Sequence, residues 1–172
     1  GTFADKTAGN GKTVAISGGQ LGDGTGLAAN YSVNAPASVT AAITPKALSI
    51  TGVSASDKVY DGGTAAVLTG GTLSGLVGNE TLALGALTGT CADKNAGNGK
   101  TVAVSGGQLG DGTGLAANYS VTAPASVTAA ITPKALSITG VAASDKVYDG
   151  GTAATLTGGT LSGLVGNETL AL

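Results

Sequence analysis

The sequence predicts an all-β chain built from tandem small domains, each a β-sandwich of the immunoglobulin-like kind. Three observations carry that expectation. Apolar and polar residues alternate in short runs, the period-two sign of half-buried strands. Gly, Asn-Gly and Asp-Gly punctuate those runs at roughly 8–12 residue intervals. The chain also repeats itself: residues 1–84 match 89–172 at 78 of 84 positions, differing only at Phe3/Cys91, Thr7/Asn95, Ile16/Val104, Asn34/Thr122, Ser54/Ala142 and Val67/Thr155. A period of 88 is longer than one solenoid coil of about 20–50 residues and suits one small domain.

The motif Ala-Ile-Thr-Pro-Lys, at 42–46 and again at 130–134, marks the junction between domains. Proline removes a ladder donor and biases the residue before it toward extended geometry, which fits an edge or a boundary. Residues 46–133 then form one complete repeat. Residues 1–45 are the C-terminal half of a preceding repeat, and 134–172 the N-terminal half of a following one. The junction has no Gly/Ser spacer, so the last strand of one domain is expected to pass almost directly into the next.

Within the complete repeat, 47–53 (Ala-Leu-Ser-Ile-Thr-Gly-Val) alternates as a strand. Val59 and Tyr60 run into the turn signal Asp61-Gly62-Gly63, and 64–68 follows as strand. Gly70-Gly71 and Gly78-Asn79 bracket a strand over 72–77, and 81–90 reads as another. Asn98-Gly99 between 92–96 and 100–105 is the strongest short hairpin signal, a type I′ turn. A Gly-rich loop over 106–114 leads to strands at 116–121 and 126–132. Six or seven short strands predict a sandwich or barrel; a helical turn within 73–84 would make the unit β-grasp-like instead. The aromatic content is 3%, so each unit has a thin core and modest stability.

Composition removes several chemistries. With no His and one Cys, a zinc, haem or iron–sulfur site has no ligand set. A Ser-His-Asp or Cys-His device has no base. All eight basic residues are Lys, against ten Asp and Glu, giving net charge −2 and no basic face for nucleic acid. Hydrophobic residues make up 42% and charged ones 10%, which is not the signature of disorder. No run of 18 apolar residues is present to span a membrane as a helix. The start, Gly-Thr-Phe-Ala-Asp-Lys, has neither Met nor the form of a signal peptide, so the chain reads as a piece of something longer. No enzyme activity, cofactor or metal is expected.

Asp-Lys-Val-Tyr-Asp-Gly at 57–62 and 145–150, Ala-Ile-Thr-Pro-Lys, Gly-Lys-Thr-Val, and Ala-Asn-Tyr-Ser-Val at 117–121 together resemble the YDG/MBG-type repeat. The similarity spans the whole period. It implies a mostly-β module found in tandem in very large bacterial surface and secreted proteins, often haemagglutinin-like or biofilm adhesins exported by two-partner secretion. It implies an extracellular location and brings no catalytic residue set.

Each conspicuous motif has a plain structural reading. Tyr60-Asp61, repeated as Tyr148-Asp149, is read as a packed ring with a locally bonded hydroxyl beside a turn-shaping carboxylate. The loop at 106–114 resembles a calcium-binding nonapeptide but offers one carboxylate, Asp111, where Ca²⁺ wants six to eight oxygens; an ion site would need Asp93 or another nearby. It is not a phosphate loop. Lys58, Asn118 and Glu80 are the raw materials of a Lys–Asn isopeptide bond, which requires all three to meet in an apolar site. The sequons at Asn30 and Asn79, with their copies, are read as coincidental. Cys91, standing where the other copy has Phe3, is expected at a half-buried or rim position, because shrinking a buried Phe costs about 3 kcal/mol or more.

The function expected is a structural spacer: a rod-like stalk or matrix fibre in surface attachment, whose partners are neighbouring repeats. The alternative is a repeated weak module binding glycan or matrix components by avidity. A repeat with two Tyr and at most one Phe is poorly equipped to grip sugars, which favours the spacer.

Overall fold

A computed structural model describes residues 1–171. The chain is all-β, and the helical segments among the described residues are two three-residue 3-10 turns, Ala28–Asn30 and Ala116–Asn118. The segment 73–84 holds a strand end, a turn and the strand Ala83–Leu84, with no helix to support a β-grasp reading. Residue contacts divide the chain into two compact units.

The first unit comprises Gly1–Thr51, Thr72–Ala86 and Gly106–Ala123. It holds an antiparallel sheet of Thr2–Phe3, Gly9–Ala15 and Ser38–Ile43. Its second sheet centres on Lys46–Thr51, antiparallel to Thr72–Ser74 and parallel to Tyr119–Thr122. Alternation places Leu48 and Ile50 inward, and both are buried.

The second unit comprises Gly52–Gly71, Leu87–Ser105 and Pro124–Leu172. Its main sheet orders Lys58–Val59, Ser126–Thr132, Gly97–Gly106, Leu87–Cys91 and Ala65–Ala66. Lys58–Val59 runs parallel to Ser126–Thr132; the sheets are therefore mixed, not the purely antiparallel pair of an immunoglobulin sandwich. Cys91, Val102, Ala129 and Ile131 project from three neighbouring strands into one buried cluster, flanked by Ala55, Tyr60, Ala66 and Leu68. Ser137–Ala143 and Leu156–Ser162 form a separate antiparallel pair.

Three expectations need correction. Asn98-Gly99 is not a hairpin turn but a bulge inside the strand Gly97–Gly106, where the register against Ser126–Thr132 shifts between Gly97 and Lys100. Gly99 has φ +60° while, among the described residues, no residue other than Gly has a positive φ, so the two positive φ values of a type I′ turn are missing. The reversal falls at 92–96 instead. There Asp93 accepts from the Asn95 amide at 2.8 Å and from Lys100 at 2.6 Å. At the bulge, the Ala130 amide donates to Asp57 at 2.6 Å. Gly99→Ala should therefore cost about 1–2 kcal/mol, the penalty for a Cβ in the left-handed region, because no atom lies within 4 Å of the added carbon. Asn98→Ala should be nearly neutral. Urea denaturation of the two variants checks this division.

Cys91 is not at a rim: it is 3% exposed. Leu87–Cys91 alternates, with Gly89 and Cys91 both inward, and Cys91 shares the buried cluster with Val102, Ala129 and Ile131. That burial removes Cys91 from ready disulfide exchange. The strand expected at 116–121 begins only at Tyr119. Asp111 accepts from the Ala116 amide at 2.7 Å and holds the preceding residues in the 3-10 turn, as Asp23 does for Ala28 at 2.6 Å.

A recurrent groove around Glu80 and Glu168

The same groove is built twice, once in each unit. In the first unit it is lined by Lys6, Ala8, Lys46, Val77, Glu80 and Tyr119; in the second, Ala96, Lys134, Val165 and Glu168 take the corresponding places, together with Tyr60. Each has a volume of about 260 Å³. Ala8/Ala96, Lys46/Lys134, Val77/Val165 and Glu80/Glu168 are all pairs one period apart.

The polar centre of each groove is the glutamate. Tyr119 donates its hydroxyl to Glu80 Oε2 at 2.5 Å and accepts from the Val77 amide at 3.2 Å. In the second unit the Tyr60 hydroxyl donates to Glu168 Oε1, and Lys94 lies 3.4 Å from the same oxygen. Hydrogen bonding to the carboxylates, with desolvation, pushes the Tyr119 and Tyr60 phenols above their ordinary value. The Tyr60 hydroxyl, then Lys94, holds the Glu168 carboxyl down.

Tyr60 and Glu168 are 108 residues apart, as are Ala8 and Asn118 by 110, the Asn118 Oδ1 accepting from the Ala8 amide at 2.8 Å. Both separations exceed one 88-residue period, so wherever the repeat boundary is drawn, these bonds join different copies. The expectation that Tyr60 bonds its hydroxyl locally is thus corrected; its ring packs against the core cluster while its hydroxyl crosses to the next copy. Nothing in the local sequence signals that partner.

The neighbouring carboxylate behaves as expected of a turn residue. Asp61 accepts from the Gly63 amide at 2.9 Å and pairs with Lys58 at 2.7 Å; that ion pair lowers its pKa. Asp149 repeats the arrangement with Gly151 and Lys146, each at 2.9 Å. Asp5, beside Lys12 and Thr7, is held at about 2. The isopeptide candidates are each committed to a different partner: Lys58 to Asp61 and the carbonyls of Gly63 and Ala65, Asn118 to Ala8, Glu80 to Tyr119. Among the described residues there is no group of three or more His, Cys, Asp or Glu side chains placed to hold a metal ion, and no helix long and apolar enough to cross a membrane.

Fold and groove together define a tandem all-β repeat chain whose recurrent polar contacts lie where one copy meets the next. The chain belongs to the YDG domain family, which matches it over residues 44–129 and again over 132–172. No curated protein and no solved structure matches it.

Proposed function

We propose that this chain is a non-catalytic segment of an extracellular bacterial adhesin or matrix fibre, in which the repeats act as a stiff spacer for surface attachment. The observation that supports this most is the pair of hydrogen bonds, Tyr60–Glu168 and Ala8–Asn118, that tie one copy to the next. Each bond lies inside one compact unit, so each unit is assembled from residues of two successive copies, and copies that share a unit cannot behave as independent beads on a flexible tether. Near-identity of the copies fits the same reading, because a spacer gains reach with every added unit and needs no unique site. A domain of this size has a radius of gyration of about 12 Å and so adds roughly 30 Å or more per repeat.

Small-angle scattering on this chain and on versions lengthened by one, two and four 88-residue copies is the test. The maximum dimension should rise in proportion to copy number. Growth near the square root of copy number would mean a flexible string and would overturn the stalk. Binding of glycans or matrix proteins that strengthens steeply with copy number would favour the avidity reading instead.

A further inference from the structure

We propose that in an array the glutamate of each repeat, at the position of Glu80 and Glu168, is a joint that accepts two tyrosine hydroxyls at once: one from its own copy and one from the YDG tyrosine of the preceding copy. This deepens the stalk reading by naming the contact that stiffens it.

The two observed grooves each display one half of that joint. Glu80 holds Tyr119 of its own copy, 39 residues away. Glu168, the same position one period on, holds Tyr60 of the copy before, 108 residues away. A carboxylate offers about four lone-pair sites, so the two bonds are compatible on one side chain. In an array, the other member of each joint would come from an adjoining copy: a YDG tyrosine before Glu80, and a counterpart of Tyr119 after Glu168.

The four tyrosines of the chain sort in the same way. Tyr119 is 7% exposed and Tyr60 half-buried, and both have a glutamate. Tyr31 and Tyr148, the same two positions in copies whose glutamate partner lies outside the chain, are 69% and 94% exposed. Sequence alone makes Tyr60 and Tyr148 equivalent; Tyr60 has both the next copy's glutamate and a core cluster for its ring, and within these 172 residues Tyr148 has the counterpart of neither. The tyrosine of the family's signature thus acts across the junction, while the Asp and Gly after it shape a local turn.

Phenol titration followed by ¹³C NMR on the full chain, with the four rings assigned by Tyr→Phe substitution, tests the joint. Tyr60 and Tyr119 should titrate above the ordinary phenol range. Glu168→Gln should return Tyr60 alone to the ordinary range, and Glu80→Gln should return Tyr119 alone. In a chain lengthened by one 88-residue copy, with no substitution, Tyr148 should move into the late-titrating class. Glu168→Gln in that longer chain should then release two tyrosines, Tyr60 and the new counterpart of Tyr119. A Tyr148 that stays put on lengthening, or a release of Tyr60 only, overturns the proposal. Scattering and titration answer separately: a flexible array with paired release retires the stalk and keeps the joint, and a stiff array without it does the reverse.

Discussion

Ile131→Ala should be the most damaging single truncation in the core, lowering stability by about 2–5 kcal/mol. Ile131 is 1% exposed and, with Val102, is one of the two largest fully buried side chains. It reaches the cluster from the central part of the five-stranded sheet, opposite Gly97 on one side and Lys58 on the other. Cys91, Val102 and Ala129 complete the buried cluster, with Ala55, Tyr60, Ala66 and Leu68 packed against it, and partial collapse of these neighbours leaves the remaining cavity as the cost. For a domain of this size each kcal/mol moves the melting temperature by roughly 4–8 °C, so a loss of about 8 °C or more is expected. Ile43 is the same residue one period earlier and is only half-buried. Ile43→Ala should therefore cost less than half as much. Equal effects of the two substitutions, read by thermal and urea denaturation, would contradict the burial described above.

Gly70→Ala should cost at least about 3 kcal/mol, well beyond the effect at Gly99. Gly70 has φ +76°, and an added Cβ would sit 2.0 Å from the Gly52 carbonyl oxygen. The obstacle is backbone, so no rotamer change relieves it, and the short pairing of Ser54–Ala55 with Leu68–Thr69 must distort. Gly99→Ala carries the positive-φ penalty alone. The difference between the two variants isolates the steric share, since the backbone term of about 1–2 kcal/mol is common to both. Gly158, one period on, faces the Gly140 oxygen at 2.3 Å, and Gly158→Ala should resemble Gly70→Ala. A melt of Gly70→Ala no lower than that of Gly99→Ala would be the contrary result.

The sequence made the fold class legible because alternation is a local property: Leu48 and Ile50 point inward on the strand where period two places them. The repeat was legible for the simpler reason that identity needs no structure. Asn98-Gly99 was misread because a left-handed glycine serves a bulge and a hairpin equally. What decides between them is the pairing of Gly97–Gly106 with Ser126–Thr132, a contact with residues some thirty positions further on. The joint at Glu168 was invisible for a stronger version of that reason: its partner, Tyr60, is more than one whole period away. At Cys91 the volume argument assumed that Phe3 reports a filled core. Phe3 is 38% exposed in its incomplete copy, so it says little about the space Cys91 occupies.

The parallel pairing of Lys46–Thr51 with Tyr119–Thr122 bears on the order of events during folding. Lys46–Thr51 must wait for a partner roughly seventy residues downstream, and long loop closures are slow. A near-copy of that partner, Tyr31-Ser32-Val33-Asn34, lies only about a dozen residues upstream, a span that a parallel crossover can bridge. The wrong strand therefore arrives first. The two candidates differ at one ladder position, Thr122 against Asn34, and Asn is a poor strand residue where Thr is a good one. Thr122→Asn should erase that distinction and slow refolding in stopped-flow measurements by more than its loss of stability accounts for. Between these two copies, the Asn34 side chain weakens the premature match for Lys46–Thr51 and leaves Tyr119–Thr122 the better strand.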